Sequence, residues 1–238
     1  MFLTRQGGTS GAKNGLTKCF LLCYNTNNEI VRQNGGVFLN NQLIVSISRE
    51  FASGGRAIAK ALAKRLDIGY YDRNLLDEIA SEKLGDVEKL RRFDEVPRFF
   101  LRRTVRGMSS SAAENVAQIQ FDYMTKLADS GEQFVIVGRC ADEVLSEYKG
   151  LVRIFVLADE ESKIDRVAES RDCSRDEARG IILRHDRSRK AYHNYYCEYK
   201  WGDSRGYDIT INSSRLGIEK STDLLEAYIR MRIEAHNK

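Results

Sequence analysis

From Gln42 onward the chain repeats one order: a short unbroken apolar run, a polar joint, then an apolar stripe at helical spacing. "QLIVSIS" (42–48) is too short for a helix and rich in β-branched residues, so it reads as a buried strand. In "GGRAIAKALAKRLDI" (54–68), Ile58, Ala61, Leu62 and Leu66 recur at three- and four-residue spacing, while Lys60, Lys64 and Arg65 take other faces. That spacing predicts an amphipathic helix. "GYYDRNLLDEIASEKLG" predicts a short extended piece, then a helix from about Arg73 to Leu84 stopped by Gly85. Residues 86–110, which hold the only proline, Pro97, predict a charged helical insert. "SAAENVAQIQFDYMTKLADSG" reads as a helix capped at Ser110 or Ser111 and stopped by Gly131. Further strands are expected at "QFVIVG", "LVRIFVLA" and "YDITIN". Further helices are expected at "CADEVLSEY", "DEESKIDRVAESR", "SRDEARGIILRHDRSRKAYHNYY" and "IEKSTDLLEAYIRMRI", with Asp159 and Ser174 as N-caps.

Strands thus alternate with helices, and three of the four clear strands are continuous apolar runs rather than alternating ones. Such strands are covered on both faces, which predicts an α/β fold with a parallel sheet between two helical layers. Ligands on such sheets lie outside the carboxyl ends of the strands. The places to inspect are therefore Ser48 to Arg56, Gly138 to Asp142, and the basic helix. Residues 1–40 differ: "RQGGTSGAKNG" and "NTNNEIVRQNGG" hold no period and little apolar surface, so they are expected to form a loosely ordered extension.

Composition narrows the function classes only a little. The chain has 238 residues, 42% hydrophobic and 30% charged, with a formal net charge of +4. That mild excess suits an anionic ligand and is far from the dense basic character of many nucleic-acid proteins, so no polymer partner is expected. The five cysteines (Cys19, Cys23, Cys140, Cys173 and Cys197) include no C-x-x-C pair and are read as reduced thiols of a cytoplasmic protein. "CFLLCY" is far too short to span a bilayer. His185, His193 and His236 show no metal spacing among themselves, and no metal ligand is assigned.

Three places can carry chemistry. "SISREFASGGRAI" joins the first strand to the first helix, where backbone N–H groups and the helix dipole favour a phosphate. It departs from the G-x-x-x-x-G-K-[ST] pattern: Arg49 holds the first glycine position and Gly55 the lysine position. Gly54 and Gly55 permit close approach, Ser53 offers a hydroxyl and Arg56 a planar cation; the alternative is a plain strand-to-helix turn. At "VIVGRC", Arg139 follows the strand into the expected ligand crevice, or pairs with a surface acid. In "ILRHDRSRKAYHNYY", Arg184, Arg187, Arg189 and Lys190 crowd around Asp186, either as a clamp on a transferred phosphoryl group or as a solvated basic face. Tyr192, Tyr195, Tyr196, Tyr199 and Trp201 are read as packing residues.

Together, "ISREFASGGRAIAKALAKRLDIGYYDR", "VIVGRCADEVL", "IILRHDRSRKAYHNYY" and "WGDSRGYDITINSS" resemble the cytidylate kinase-like family of P-loop kinases, in the right order from about Gln42 to the C-terminus. The resemblance implies one kinase domain over 41–238, with an acceptor-binding insert near 86–110 and a lid near 184–204. It implies transfer of the γ-phosphoryl of ATP, with Mg²⁺, to a nucleoside monophosphate. Ser48, Arg49, Ser53, Gly54, Gly55, Arg56 and Ala57 would hold the nucleotide. Asp72, Arg73, Gln120, Gly138 and Arg139 would hold the acceptor. Arg56, Arg184, Asp186 and Arg189 would serve the transfer, with Arg187 a further candidate. Where cytidylate kinases carry "DGRD", this chain reads "VGRC", so Val137 and Cys140 replace the acids that help choose the base. A non-catalytic nucleotide-binding module is the alternative on the same fold.

Overall fold

The computed structural model describes residues 42–72, 74 and 112–236. The extension at 1–40, Arg73, the insert at 86–110 and the caps at Ser110 or Ser111 lie outside the described residues, as does nearly all of the helix expected over 73–84. Five strands are described: β1 (Ile44–Arg49), β2 (Gly69–Tyr71), β3 (Phe134–Val137), β4 (Leu151–Leu157) and β5 (Ile209–Asn212). They form one sheet in the order β2-β3-β1-β4-β5, every pairing parallel. The helices are α1 (Gly55–Leu66), α2 (Ala112–Asp129), the short α3 (Ala141–Val144), α4 (Glu160–Arg171), α5 (Arg175–Tyr196) and α6 (Ser213–His236).

The unbroken apolar strands are explained by burial on both faces. Successive β1 residues serve opposite cores, because side chains alternate across a strand. Val45 and Ile47 pack with Ile58 and Leu62 of α1 and with Leu225 and Ile229 of α6. Ile44 packs instead with Met124 of α2, Phe134, and Leu145 just after α3. A third cluster joins Ile164 and Val167 of α4 to Ala178 and Ile182 of α5, with Phe51 against it.

Helix ends follow local chemistry in most places. Ser174 caps α5 in a reciprocal box: its hydroxyl accepts from the Glu177 N–H, and the Glu177 carboxylate accepts from the Ser174 N–H. Gly131, with φ +82°, ends the turn after α2. Asp159 stands at the N-cap position of α4, but its side chain makes no capping bond. Its Oδ1 accepts from Asn212 Nδ2 at 2.8 Å and from Arg215 at 3.3 Å, so it ties α4 to the β5–α6 joint instead. The closing helix is broken at Gly217, where φ is +73° and ψ 174°.

This topology places the site. From β1 the chain crosses to β2 and β3 on one side of it, and from β3 it crosses to β4 on the other. The carboxyl ends of β1 and β3 therefore flank a switch point, where the outgoing connections diverge and leave a crevice.

Candidate active site

The loop after β1 carries the chain into α1 through residues with left-handed backbone. Ala52 has φ +59° and Gly54, the N-cap of α1, has φ +80°. Ser53 is fully buried; its Oγ donates to the Glu50 carbonyl at 2.9 Å and accepts from the Gly55 N–H at 3.4 Å. The Ser53 carbonyl in turn accepts from the Ser213 hydroxyl at 2.5 Å. The Ala52 carbonyl accepts from Arg166 Nη1 at 2.9 Å. The loop is thus held from α4 and α6 as well as by its own turn, a pre-organised helix N-terminus whose dipole end favours an anion.

Arg49 and Gly55 are spatially coupled. A Cβ on Gly55 would lie 2.7 Å from Arg49 Cβ and 3.3 Å from Val156 Cβ. No side chain fits at position 55 while Arg49 takes this path. Arg49 runs over Gly55 toward β3, where a Cβ on Gly138 would collide with its Nη1. A lysine of the usual pattern would project from the first turn of the helix; here a cation enters the same crevice from the end of the strand.

The crevice, shallow and open to solvent, is lined by Ser48, Arg49, Gly138, Arg139, Arg189 and Tyr192, among others. Arg139 lies over the Tyr192 ring, 5.7 Å from its centroid. Arg189, from α5, donates to the Arg49 carbonyl at 3.5 Å and stands 5.4 Å from the centroid of Phe51. Three guanidinium groups from three elements therefore gather at the switch point. Gly138, Arg139 and Cys140 have φ of +76°, +60° and +56° in succession. Left-handed backbone at two consecutive non-glycine residues is strained, and such strain collects at functional sites.

The other expected residues separate into two groups. Asp186 meets the loop: its Oδ1 accepts from the Phe51 N–H at 2.6 Å, and its Oδ2 lies 3.9 Å from Lys163 Nζ. Burial pushes the Asp186 carboxyl above its ordinary range, against the pull of Phe51 N–H, Lys163 and Arg189. Arg56 turns away from the crevice and pairs with Asp72 at 2.5 Å; the guanidinium is 65% exposed. Ala57 is exposed in the first turn of α1, and Gln120 is fully buried on α2. Arg184 and Arg187 are exposed on α5.

Sequence reasoning passed over several residues that build the site. Glu50 accepts from Lys163 Nζ at 2.8 Å and from the Ala158 N–H at 3.3 Å. Lys163, 8% exposed, thus joins both carboxylates of the loop region to α4. His185 stacks on Phe51 with ring centroids 4.2 Å apart. Nothing local marks these roles, since "EESKID" reads as an ordinary charged helical turn.

Crossovers that leave to either side of a central strand, with a strand-to-helix loop at its carboxyl end, are the plan of the P-loop kinase fold. Residues 44–215 match the cytidylate kinase-like family, and the chain belongs to it. Among solved structures, an uncharacterized protein from Eubacterium ventriosum ATCC 27560 is 36% identical, with a TM-score of 0.64, covering 79% of this chain and 99% of that one. Shikimate kinase from Bacteroides thetaiotaomicron matches at 13% identity and a TM-score of 0.48, over 79% of this chain and 98% of its own. Shikimate kinase from Acinetobacter baumannii, in complex with shikimate, matches at 11% identity and 0.44, over 81% and 95%. No curated protein matches the sequence. Among the described residues no helix is long and apolar enough to cross a membrane.

Proposed function

We propose that the chain is an ATP-dependent phosphotransferase acting on a nucleoside monophosphate or a related phosphate-bearing acceptor. The observation that carries this reading is the gathering of Arg49, Arg139 and Arg189 over a helix N-terminal loop at the switch point. Phosphoryl transfer needs little covalent chemistry from the protein; it needs in-line positioning and cations placed where charge spreads in the transition state. In this reading the loop and Arg49 hold the nucleotide phosphates, Arg139 the acceptor, and Arg189 closes from α5. Arg49 takes the part of the missing lysine, because it is a cation that lines the crevice from the end of β1. Arg56, held by Asp72, shapes the acceptor side.

Mg²⁺ would arrive with the nucleotide and offset the phosphate charge. Asp186 is the carboxylate placed to meet it, being buried at the loop with its pKa pushed up, an environment that favours a cation partner. With Val137 and Cys140 beside Arg139, the acceptor pocket presents an apolar side chain and a thiol where cytidylate kinases present two acids. Acceptors whose base needs a carboxylate contact are therefore expected to be poor.

The test is a coupled assay with ATP, Mg²⁺ and a panel of ribo- and deoxyribonucleoside monophosphates, read as diphosphate formed. Arg49→Ala is expected to lower kcat by about 10²-fold or more, the scale of losing one transition-state donor. Arg56→Ala is expected to act mainly on the acceptor KM. Turnover that survives Arg49→Ala but is abolished by Arg56→Ala would reverse this assignment. ATP binding without transfer to any acceptor would favour the non-catalytic reading.

A further inference from the structure

Where α3 meets the end of α5, beside the crevice, lies a cluster that the proposed phosphoryl transfer does not use. Asp142 of α3 and His193 and Cys197 at the end of α5 are all buried, and one donor atom from each lies within 4.8 Å of the others. His193 Nε2 and Asp142 Oδ2 are 2.8 Å apart. Asp142 Oδ1 and His193 Nδ1 are buried with no hydrogen-bond partner, although both residues are less than a tenth exposed. Buried polar atoms are nearly always satisfied, so two orphans in one cluster call for a ligand. Cys140, also buried, places its thiol within hydrogen-bonding reach of Cys197. Neither cysteine is in a disulfide.

We infer that Asp142, His193 and Cys197 bind a divalent transition-metal ion of the zinc type, which joins the β3–α3 turn to the end of α5. Sulfur, imidazole and carboxylate donors together select zinc over magnesium or calcium, which take oxygen. Two ligands on one tetrahedral zinc stand about 3.6 Å apart, given metal–ligand bonds of about 2.0–2.3 Å. The three donors lie within 4.8 Å of one another, close to that separation. Charge also fits: a divalent ion replaces the proton shared by Asp142 and His193 and the thiol proton of Cys197, leaving a neutral unit in a buried place. Cys140 and His193 also line the crevice, which supplies an entry path. Arg139 precedes Cys140 directly and faces Tyr192, so the metal would set the strained turn that aims Arg139. The function is structural, and it is independent of whether phosphoryl transfer occurs.

The experiment uses untagged full-length protein in a Cys19→Ser, Cys23→Ser background, which removes the two thiols outside the described residues. The protein is stripped with chelator and titrated with Zn²⁺ against a chromophoric competitor, and separately loaded with Co²⁺. One equivalent of metal, a Co²⁺ spectrum with a thiolate charge-transfer band and intense tetrahedral d–d bands, and a raised Tm are expected. Cys197→Ser should weaken zinc binding at least tenfold and remove most of the charge-transfer band, while Cys173→Ser, on the far side of α4, should change neither. A Co²⁺ spectrum lacking thiolate charge transfer, or metal binding that survives both Cys197→Ser and His193→Ala, would overturn the assignment. The Co²⁺ spectrum of the unsubstituted site decides the matter even if a variant fails to fold.

Discussion

Gly138 shows how one missing side chain can organise a site. Its φ of +76° lies in the left-handed region, and the space a Cβ would need is filled by the Arg49 guanidinium. Gly138→Ala therefore imposes backbone strain and displaces the cation. The expected loss is about 1–3 kcal/mol of stability, read as a lower Tm, together with weaker ATP binding measured by calorimetry. An unchanged ATP affinity would mean that Arg49 does not hold the nucleotide in this position. The same pair of residues shows what was readable beforehand. Arginine at the first glycine position and glycine at the lysine position both stand in "SREFASGGRAI", so the exchange was visible as two departures. That they sit against each other was not, because the Arg49 side chain runs past Gly55 to Gly138, just beyond the end of β3 and 89 residues away in the chain. Arg56 looked like the natural substitute by proximity, but its direction is decided by Asp72 beyond the end of β2.

At the scale of elements, α5 makes the largest difference between pattern and structure. The basic run from Arg184 to Lys190 is a single stretch of sequence, and the helix divides it. Asp186 and Arg189, three apart, face the loop; Arg184 and Arg187 face solvent. A helix presents only one stripe to its neighbour, and that stripe is chosen by Ile182 and Ala178 packing on α4. The Asp186 carboxylate accepts from the Phe51 N–H at 2.6 Å. Asp186→Asn removes this negative charge from beside the loop. ATP binding without Mg²⁺ is expected to stay level or tighten, while turnover with Mg²⁺ falls about 10²-fold. Weaker magnesium-free ATP binding in this variant would show that Asp186 orders the loop rather than meeting the metal.

At the scale of the whole molecule, the Asp142–His193 pair ties α3 to α5, and it gives stability a pH dependence. Burial by itself would lower the His193 pKa, but the hydrogen bond to Asp142 and the neighbouring Cys197 outweigh it and raise it to about 9. Against an unfolded value near 6.5, the protonated pair stabilises the metal-free protein fully below about pH 6.5, and that contribution is lost as pH rises through about 9. The metal-free Tm should therefore fall between about pH 7 and pH 9, and His193→Gln should flatten that fall; a Tm that rises with pH over this range would contradict the pairing. This contact spans 51 residues of sequence, and no local spacing announces it. Four of the five strands, the short extended piece that is β2, the order of the described helices and the Ser174 cap were legible because each is written in contacts two to four residues apart: apolar runs, helical stripes and turn chemistry. The strand order, the choice of Arg49, Arg139 and Arg189 as the residues that converge, and the Asp142, His193 and Cys197 cluster were not. They depend on which side of β1 each crossover takes and on how α5 rolls against α4. Those are decided by burial of apolar faces between elements far apart in the chain, and only the tertiary structure settles them.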